Sequence, residues 1–410
     1  MVKMAITNKW RAPGEKTFSV IIGGDFCPRE ENSRFVAEHA SEIVRDIKPL
    51  FKKDSLNILQ WECAVTEGGT PIVKRGPNLR CGEPVLAVLD ELGINVALLA
   101  NNHTGDFGPS EIFTTEKAIR SRGIMTVGTG RDPEDAAKPL MFEKNGIRIA
   151  ILNICENEFG DARKGKAGTN AMDVLVNLEQ IREARKHADV VLVLLHGGHE
   201  YNPYPSPRMV KVFRAFAEAG ASAVWNCHTH CPEGFEVRNG VPIIYSPGNF
   251  YFPGKPNTLK TWRTGYVTEF LCDGKGVYGY ELHPYGFTKE KIFPLSGETL
   301  VSAENYLLGL CRPLDDPDEL QSLFDSWCTQ AGVGYLRTIV ATDENPWPPT
   351  DWKDEDVHKR WIAVRNIFTC ESHDYMLNNT CRLIEEFRME EAASGYGRIK
   401  NLQEPEFVTW

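Results

Sequence analysis

Short apolar runs and helical patterns alternate along the first two thirds of the chain. Runs rich in Val, Ile and Leu predict buried strands at residues 18–23, 56–61, 96–100, 147–154, 190–195 and 222–225. Between them, apolar residues recur at helical spacing and predict helices at 31–47, 84–92, 109–122, 173–187 and 206–219. Strands that alternate with helices are typical of layered α/β proteins.

Turn signals indicate that part of the sheet structure is antiparallel. Asn145-Gly146 and Asn239-Gly240 separate alternating segments, as two-residue hairpin turns do, and residues 273–276 (Asp-Gly-Lys-Gly) have the composition of a longer hairpin loop. We therefore expect a mixed α/β architecture.

After about Pro294 the strand signals fade and helices are predicted at 302–310, 317–330, 356–368 and 375–393. A stretch rich in proline and tryptophan, 346–352, interrupts them and is predicted to be an ordered loop or linker. We expect an N-terminal segment (1–16), a layered domain (17–292) and a mainly helical C-terminal extension (293–410). The extension could form its own core, a lid or the surface of a homodimer.

Composition and charge narrow the classes of partner. The chain has 410 residues and a formal net charge of −10, which argues against a broad nucleic-acid-binding surface and a polybasic membrane surface. The N-terminus lacks the apolar core of a signal peptide, and the apolar run 190–195 is too short to span a bilayer. We expect a cytoplasmic protein with neither a membrane anchor nor a nucleic-acid partner.

Polar residues able to bind metal or move a proton follow five of the predicted strands. In chain order these are Asp25, Glu62, the Asn101-Asn102-His103 segment, His196, and the His228-Thr229-His230 segment. Taken singly, such an Asp is usually a helix N-cap and such a His a surface residue. The carboxyl ends of strands line one crevice in open α/β sheets, so the five together predict a shared site. Mixed oxygen and nitrogen ligands suit zinc, manganese or iron, with calcium and magnesium as alternatives.

These residues lie in motifs that resemble those of a known family. The motifs are Gly23-Gly-Asp25, Trp61-Glu62, 99–108 (Leu-Ala-Asn-Asn-His-Thr-Gly-Asp-Phe-Gly), 196–201 (His-Gly-Gly-His-Glu-Tyr), His228-Thr-His230 and 242–250 (Pro-Ile-Ile-Tyr-Ser-Pro-Gly-Asn-Phe). Over residues 17–285 the chain resembles the bacterial capsule-synthesis CapA family, also called the poly-gamma-glutamate biosynthesis family. The resemblance implies the fold of the calcineurin-like metallophosphatases, a four-layered α-β-β-α sandwich with mixed sheets.

The resemblance also implies a centre of two divalent metal ions. One would be held by Asp25, Glu62 and His230, and the other by Glu62, Asn102, His196 and His228. His103 would stay off the metals as an acid or a transition-state stabiliser. Cys27 stands where the metallophosphatase pattern has a histidine; it could be a soft ligand or a bystander, and a single metal stays an alternative.

Residues for substrate binding and acid–base chemistry are less strongly indicated. Arg80 and Arg208 lie close to the motif loops and could bind a carboxylate or phosphate, with a structural ion pair as the alternative. Tyr201 could line the cleft. His103 with Asp106, and His199 with Glu200, are candidate acid–base pairs.

We therefore predict a metal-dependent hydrolase that uses metal-activated water on a phosphoester or an amide bond of γ-glutamyl or peptide type. Its substrate would be a small molecule, a peptide or an anionic polymer. One alternative is a peptide epimerase that removes and returns a Cα proton on the same fold. Another is a binding subunit that holds metal without catalysis.

Overall fold

The computed structural model of the protein describes residues 6–254, 258–340 and 354–410, so the stretch 346–352 lies outside the described residues. Its strands, in chain order, are β1 (Thr7–Lys9), β2 (Thr17–Phe26), β3 (Leu56–Trp61), β4 (Ala64–Val65), β5 (Arg80–Cys81), β6 (Val96–Leu98), β7 (Met125–Val127), β8 (Thr129–Gly130), β9 (Leu140–Lys144), β10 (Ile147–Cys155), β11 (Gly168–Thr169), β12 (Val190–His196), β13 (Ala223–Cys227), β14 (Phe235–Arg238), β15 (Val241–Ile244), β16 (Asn249–Tyr251), β17 (Thr264–Asp273), β18 (Gly276–Phe287) and β19 (Ile292–Pro294).

The helices, in chain order, are α1 (Ser33–Glu38), α2 (Ala40–Val44), α3 (Ala87–Leu92), α4 (Pro109–Arg120), α5 (Pro133–Ala136), α6 (Val174–His187), α7 (Pro207–Ala219), α8 (Gly297–Cys311), α9 (Pro317–Cys328), α10 (Ala331–Ile339), α11 (Glu355–Thr369), α12 (Glu371–Glu385), α13 (Met389–Ala393) and α14 (Tyr396–Gln403). The helix predicted at 31–47 is divided into α1 and α2, because the backbone leaves the helical region at His39 (φ −125°). No helix within the three described ranges is long and apolar enough to cross a membrane.

Two large sheets form the centre of the molecule, and both are mixed. The first has the order β1-β18-β17-β2-β3-β6-β7, in which β2, β3, β6 and β7 are parallel and the β17–β18 hairpin is antiparallel. The second has the order β14-β15-β13-β12-β10-β9, with parallel β10, β12, β13 and β15 between antiparallel edge strands. The predicted turns Asn145-Gly146 and Asn239-Gly240 join β9 to β10 and β14 to β15, all four residues having positive φ.

Two apolar cores lie on the two faces of the first sheet, because side chains along its strands point alternately to one face and the other. Val20 and Ile22 of β2 pack with residues of the second sheet and of α6 and α7, whereas Ile21 packs with residues of α2 and α3 on the opposite face. Successive side chains of a strand point to opposite faces, so β2 contributes to both cores. Each sheet is covered by helices on its outer face, which confirms the predicted four-layered α-β-β-α sandwich with mixed sheets and C-terminal helices.

The C-terminal helices pack against the layered part of the chain. Leu307 and Leu310 of α8 and Leu320 of α9 belong to the core that includes the second sheet. Trp327 of α9 and Met376 of α12 belong to a separate cluster that Tyr201 contacts. The helices thus reach the loop that follows β12.

Candidate metal centre

The residues predicted to bind metal converge where the carboxyl ends of the two sheets meet. Asp25 lies at the end of β2, Glu62 follows β3 and Asn102 follows β6 in the first sheet. His196 ends β12, and His228 and His230 follow β13, in the second sheet. All six side chains are buried, with Asn102 the most exposed at 5%.

The backbone around these residues adopts conformations that most residues avoid. His228 and His230 have φ values of 102° and 56°, a region that costs energy for residues other than glycine and is common at functional sites. The backbone N–H of His228 donates to Asp25 Oδ2 at 3.0 Å. A Cβ atom at Gly24 would lie 2.0 Å from the carbonyl oxygen of Gly248, so glycine allows the two motif segments to touch.

Four ligand atoms surround one position, which we call the second subsite. His196 Nε2 lies 3.1 Å from Asn102 Oδ1, 3.1 Å from His228 Nδ1 and 3.6 Å from Glu62 Oε1. Ligands at roughly 2.1 Å from a shared cation are about 3.0–3.4 Å apart. The spacing therefore fits one divalent ion with little rearrangement.

The first subsite, formed by Asp25, Glu62 and His230, is looser. Asp25 Oδ2 lies 3.7 Å from His230 Nδ1, and Glu62 Oε1 lies 3.9 Å from His230 Nε2. His230 Nδ1–H donates to Asn249 Oδ1 at 2.9 Å, which leaves Nε2 to bind a metal. Carboxylate and imidazole atoms of all three residues lie within 4.8 Å of one another.

Buried carboxylate oxygens without hydrogen-bond partners among the described residues indicate that a metal ion fits this centre. Asp25 Oδ1 and both oxygens of Glu62 are buried with no hydrogen-bond partner among the described residues. Burial, followed by the neighbouring Asp25 carboxylate, raises the pKa of Glu62 well above its usual value. Buried carboxyl groups are costly unless paired or bound to a cation. The residues therefore fit one or two divalent metal ions, with Glu62 shared.

Glu158, which follows β10, holds the imidazole of His228 from outside the centre. Its Oε1 lies 3.2 Å from His228 Nε2, and its Oε2 accepts from Asn102 Nδ2 at 3.3 Å. Burial, the largest single effect, lowers the pKa of His228, but the hydrogen bond and the charge of Glu158, with the charges of Glu200 and Asp25, together outweigh it and raise the pKa to about 9. A carboxylate on the outer nitrogen of a metal-binding histidine fixes its tautomer and orientation.

His103 and Asp106 form one of the two predicted acid–base pairs. His103 Nδ1–H donates to Asp106 Oδ2 at 2.7 Å. The buried ammonium of Lys74 donates to Asp106 Oδ1 at 2.6 Å and to the carbonyl oxygen of Asn102 at 3.0 Å. Burial and Lys74 together lower the pKa of His103. This arrangement leaves His103 Nε2 as the nitrogen that can serve a substrate.

A cleft beside the centre consists of two cavities that share His103, Glu200 and Tyr201 in their walls. One has a volume of about 400 Å³ and includes Asn102 and Glu158. The other has a volume of about 540 Å³ and includes His230. Tyr201 stacks on Trp262 with ring centroids 5.9 Å apart. Tyr201 therefore lines the cleft, and its part in substrate binding stays a prediction.

The second predicted acid–base pair, His199 with Glu200, is not brought together. His199 Nε2–H donates to the carbonyl oxygen of Ser372 at 2.9 Å, while Glu200 interacts with the hydroxyl of Tyr201. Burial lowers the pKa of His199 to about 4. His199 therefore serves a contact with α12, although it also lines the smaller cavity.

Neither predicted arginine lies in this cleft. Arg80 pairs with Glu30 at 2.7 Å and lies over the ring of Phe107, next to a different cavity. Arg208 pairs with the buried Glu156 at 3.0 Å. Each guanidinium is thus held by a structural ion pair, the alternative that the sequence left open.

Two cysteines lie near the centre: Cys27, which the sequence left open as a soft ligand or a bystander, and Cys227. The thiol of Cys27 interacts with Cys63, and Cys27 belongs to no compact group of metal-binding atoms in the described part of the chain. Cys227 instead lies 3.4 Å from His196 Nδ1 and forms a compact group with Asp25 and His196. Burial raises the pKa of the Cys227 thiol well above its usual value, which disfavours the thiolate form.

Three residues of the site were missed by sequence reasoning. Glu158 follows a predicted strand, so the rule that selected the other ligands would have found it. Asn249 lies in a motif that carried the family resemblance. Lys74 lies in an irregular loop, and no local pattern distinguishes it from a surface lysine.

Solved structures with similar chain traces share little sequence with this protein. A hypothetical protein from Thermus thermophilus has a TM-score of 0.42 and 16% identity, covering 66% of this chain and 100% of its own. The 5'-nucleotidase of Candida albicans has a TM-score of 0.39 and 11% identity, covering 77% of this chain and 57% of its own.

Similarity to characterised sequences is stronger. The PGA biosynthesis protein CapA of Bacillus subtilis (strain 168) is 31% identical over 303 residues, which cover 71% of this chain and 79% of the relative. The capsule biosynthesis protein CapA of Bacillus anthracis is 33% identical over 181 residues, covering 43% of this chain and 44% of the relative. The family profile described as "Bacterial capsule synthesis protein PGA_cap" matches residues 19–254, which include every ligand of the candidate metal centre. The predicted resemblance is thereby confirmed, and the chain belongs to the bacterial capsule synthesis protein PGA_cap family.

Proposed function

We propose that this protein is a metal-dependent hydrolase that cleaves a phosphoester or an amide bond. The observation that carries the proposal is Glu62, a fully buried carboxylate whose two oxygens have no hydrogen-bond partner in the described part of the chain and which belongs to two groups of potential metal ligands. Divalent metal ions bound at such a site supply Lewis acidity and lower the pKa of water. Glu62, Asn102, His196 and His228 would hold one ion, and Asp25, Glu62 and His230 the other.

His103 is the residue placed to move a proton during the reaction. It lines both cavities of the cleft, and Asp106 fixes its ring through Nδ1. A proton on Nε2 would then be directed to a leaving group or to developing negative charge. Lys74 holds Asp106 in place and neutralises its charge.

Hydrolysis is favoured over epimerisation by the number of acid–base pairs. Removal and return of a Cα proton is best served by bases on both faces of the carbon atom. His103 with Asp106 provides one, whereas His199 is engaged by Ser372. The names of two relatives, which refer to PGA and capsule biosynthesis, support an anionic polymer or its fragments as the substrate class.

The proposal is tested by metal analysis and activity assays on the full chain. The purified protein is loaded with Mn²⁺, Zn²⁺ or Fe²⁺ and assayed on p-nitrophenyl phosphate and γ-glutamyl-p-nitroanilide. We expect release of p-nitrophenol or p-nitroaniline that a chelator abolishes and that His196→Ala lowers by roughly 10²-fold or more. His187→Ala, which changes an exposed histidine of α6, is the matched control.

Two results would contradict the proposal. One is a protein that binds no divalent metal and is unaffected by His196→Ala. The other is uptake of deuterium from deuterated water at the Cα of a peptide substrate without cleavage, which would establish the epimerase instead.

A further inference from the structure

Two buried N–H donors of the C-terminal helices have no partner among the described residues. They are Nε1 of Trp327 in α9, a residue that is 7% exposed, and Nδ2 of Asn366 in α11, which is 3% exposed. Buried donors are almost always hydrogen-bonded, because an unpaired N–H loses its bonds to water without replacement. Two such donors at one place indicate a ligand that supplies acceptors.

Both residues line the 400 Å³ cavity that contains Asn102 and His103. Part of the wall of this cavity thus belongs to the metal centre, while Trp327 of α9 and Asn366 of α11 form another part. A molecule that fills the cavity would touch the metal ligand Asn102 as well as Trp327 and Asn366.

A positive charge completes the donor wall. Arg75 lines the same cavity, and its guanidinium lies 4.9 Å from the ring centroid of Tyr335 in α10. The guanidinium donates to Thr338 Oγ1 at 3.4 Å, and no carboxylate among the described residues forms an ion pair with it. Lys74, the second basic residue of the cavity wall, forms a salt bridge with Asp106.

The carboxylates that line this cavity are engaged elsewhere. Glu158 is bonded to His228 and Asn102, on the side of the metal centre. Glu200 lies in the wall shared with the larger cavity and interacts with the hydroxyl of Tyr201. Both carboxylates of the wall are thus engaged by protein groups, whereas Arg75 contacts α10 without a carboxylate partner among the described residues.

We propose that the C-terminal helices supply a subsite for a carboxylate group of the substrate. Trp327 Nε1–H and Asn366 Nδ2–H donate to its two oxygens, and Arg75 balances its charge. Two neutral donors and one guanidinium suit a planar monoanion better than a phosphate dianion, because Lys74 is already neutralised by Asp106. The proposal rests on the proposed function, since it names the part of the substrate that lies away from the scissile bond.

The test follows the indole N–H signals of the full chain, labelled with ¹⁵N-tryptophan, during titration with glutarate. The Trp327 signal is assigned as the one missing in Trp327→Phe. We expect glutarate to shift it, and the uncharged isostere glutaramide to bind at least tenfold more weakly. Trp410, whose Nε1–H already donates to the carbonyl oxygen of Arg263, is the internal control and should not move.

Variants separate the subsite from other binding modes. Asn366→Leu and Arg75→Gln should each weaken glutarate binding by tenfold or more, whereas Asn378→Leu, at an exposed position of α12, should not. These variants keep the test valid if Trp327→Phe does not fold. The subsite is refuted if the Trp327 signal is unmoved by glutarate, responds equally to glutaramide, or responds more strongly to inorganic phosphate. The titration requires no turnover, so it can be interpreted even if the protein does not act as a hydrolase.

Discussion

The metal centre and the contact made by α12 are both built from buried carboxylates, but the two regions satisfy them differently. In the metal centre, neither oxygen of Glu62 has a hydrogen-bond partner among the residues that the structure describes. At the contact with α12, Glu156 accepts from the backbone N–H of Gly198 at 3.1 Å and pairs with Arg208 at 3.0 Å. Glu371 of α12 accepts from the backbone N–H of Asn157 at 2.9 Å.

This difference distinguishes carboxylates that are available to bind a metal ion from carboxylates that contribute to the stability of the fold. Carboxylates that protein groups already satisfy hold the chain together, whereas carboxylates left without partners are suited to a cation from solution. Changes in the metal centre should therefore alter metal content and activity with little effect on unfolding. Changes at the contact with α12 should do the opposite.

The largest effect is expected for Glu62→Gln. The amide keeps the volume of the side chain but removes the charge shared by the two subsites, so we expect loss of bound metal and a fall in activity of roughly 10³-fold or more. The metal-free variant should be at least as stable to unfolding as the metal-free wild type, because the change removes a costly buried carboxylate and no hydrogen bond to its oxygens from the described residues.

Elemental analysis, activity and urea unfolding check this prediction, with Glu179→Gln on the exposed face of α6 as the control. Full metal content in Glu62→Gln would show that Glu62 is not a ligand, and the contrast between the two regions would fail.

A smaller effect is expected for Glu158→Gln. This change weakens the support of His228 but leaves every direct ligand in place, and loss of such outer contacts costs roughly 10- to 100-fold in metal affinity. Competition with a chelating dye measures the affinity, with Glu134→Gln as an exposed control. An unchanged affinity would mean that the His228 ring is held by the backbone alone.

The smallest effect on metal binding and activity is expected for changes at the contact with α12. There the expected change is in the free energy of unfolding, and it depends on pH. Burial, followed by the charge of Glu156, raises the pKa of Glu371 to about 7. The folded protein then keeps a proton that the unfolded chain releases above about pH 4.3. The free energy of unfolding should therefore fall as pH rises from about 4.3 to 7, by on the order of 3.5 kcal/mol.

Glu371→Gln removes this titration, so its stability relative to the wild type should increase across the same pH window while its metal content stays unchanged. Urea unfolding at pH 5, 6, 7 and 8 measures the difference, with Glu385→Gln on the exposed face of α12 as the control. A constant difference between Glu371→Gln and the wild type at all four pH values would contradict the assignment.

Much of the fold and of the candidate site could be predicted because both depend on local patterns. Apolar runs marked β2, β3, β10, β12 and β13 to within a few residues, and Asn-Gly pairs marked two hairpins. The carboxyl ends of β2, β3, β6, β12 and β13 marked the polar segments, and the family resemblance selected within them the six side chains that the structure brings together. Lys74, Trp327 and Asn366 carry no such mark, because they come from an irregular loop and from helices that follow the family motifs in the chain.

The sequence by itself determined the layered architecture and the family, and through the family resemblance it predicted a ligand set, because strand periodicity and short motifs are properties of local segments. Only the tertiary structure decided which oxygens are left without partners, that Arg80 and Arg208 are neutralised by Glu30 and Glu156, and that His199 serves α12. These outcomes depend on contacts between residues tens to hundreds of positions apart. Burial and pairing there decide whether a charged side chain is structural or free to bind a metal or a substrate.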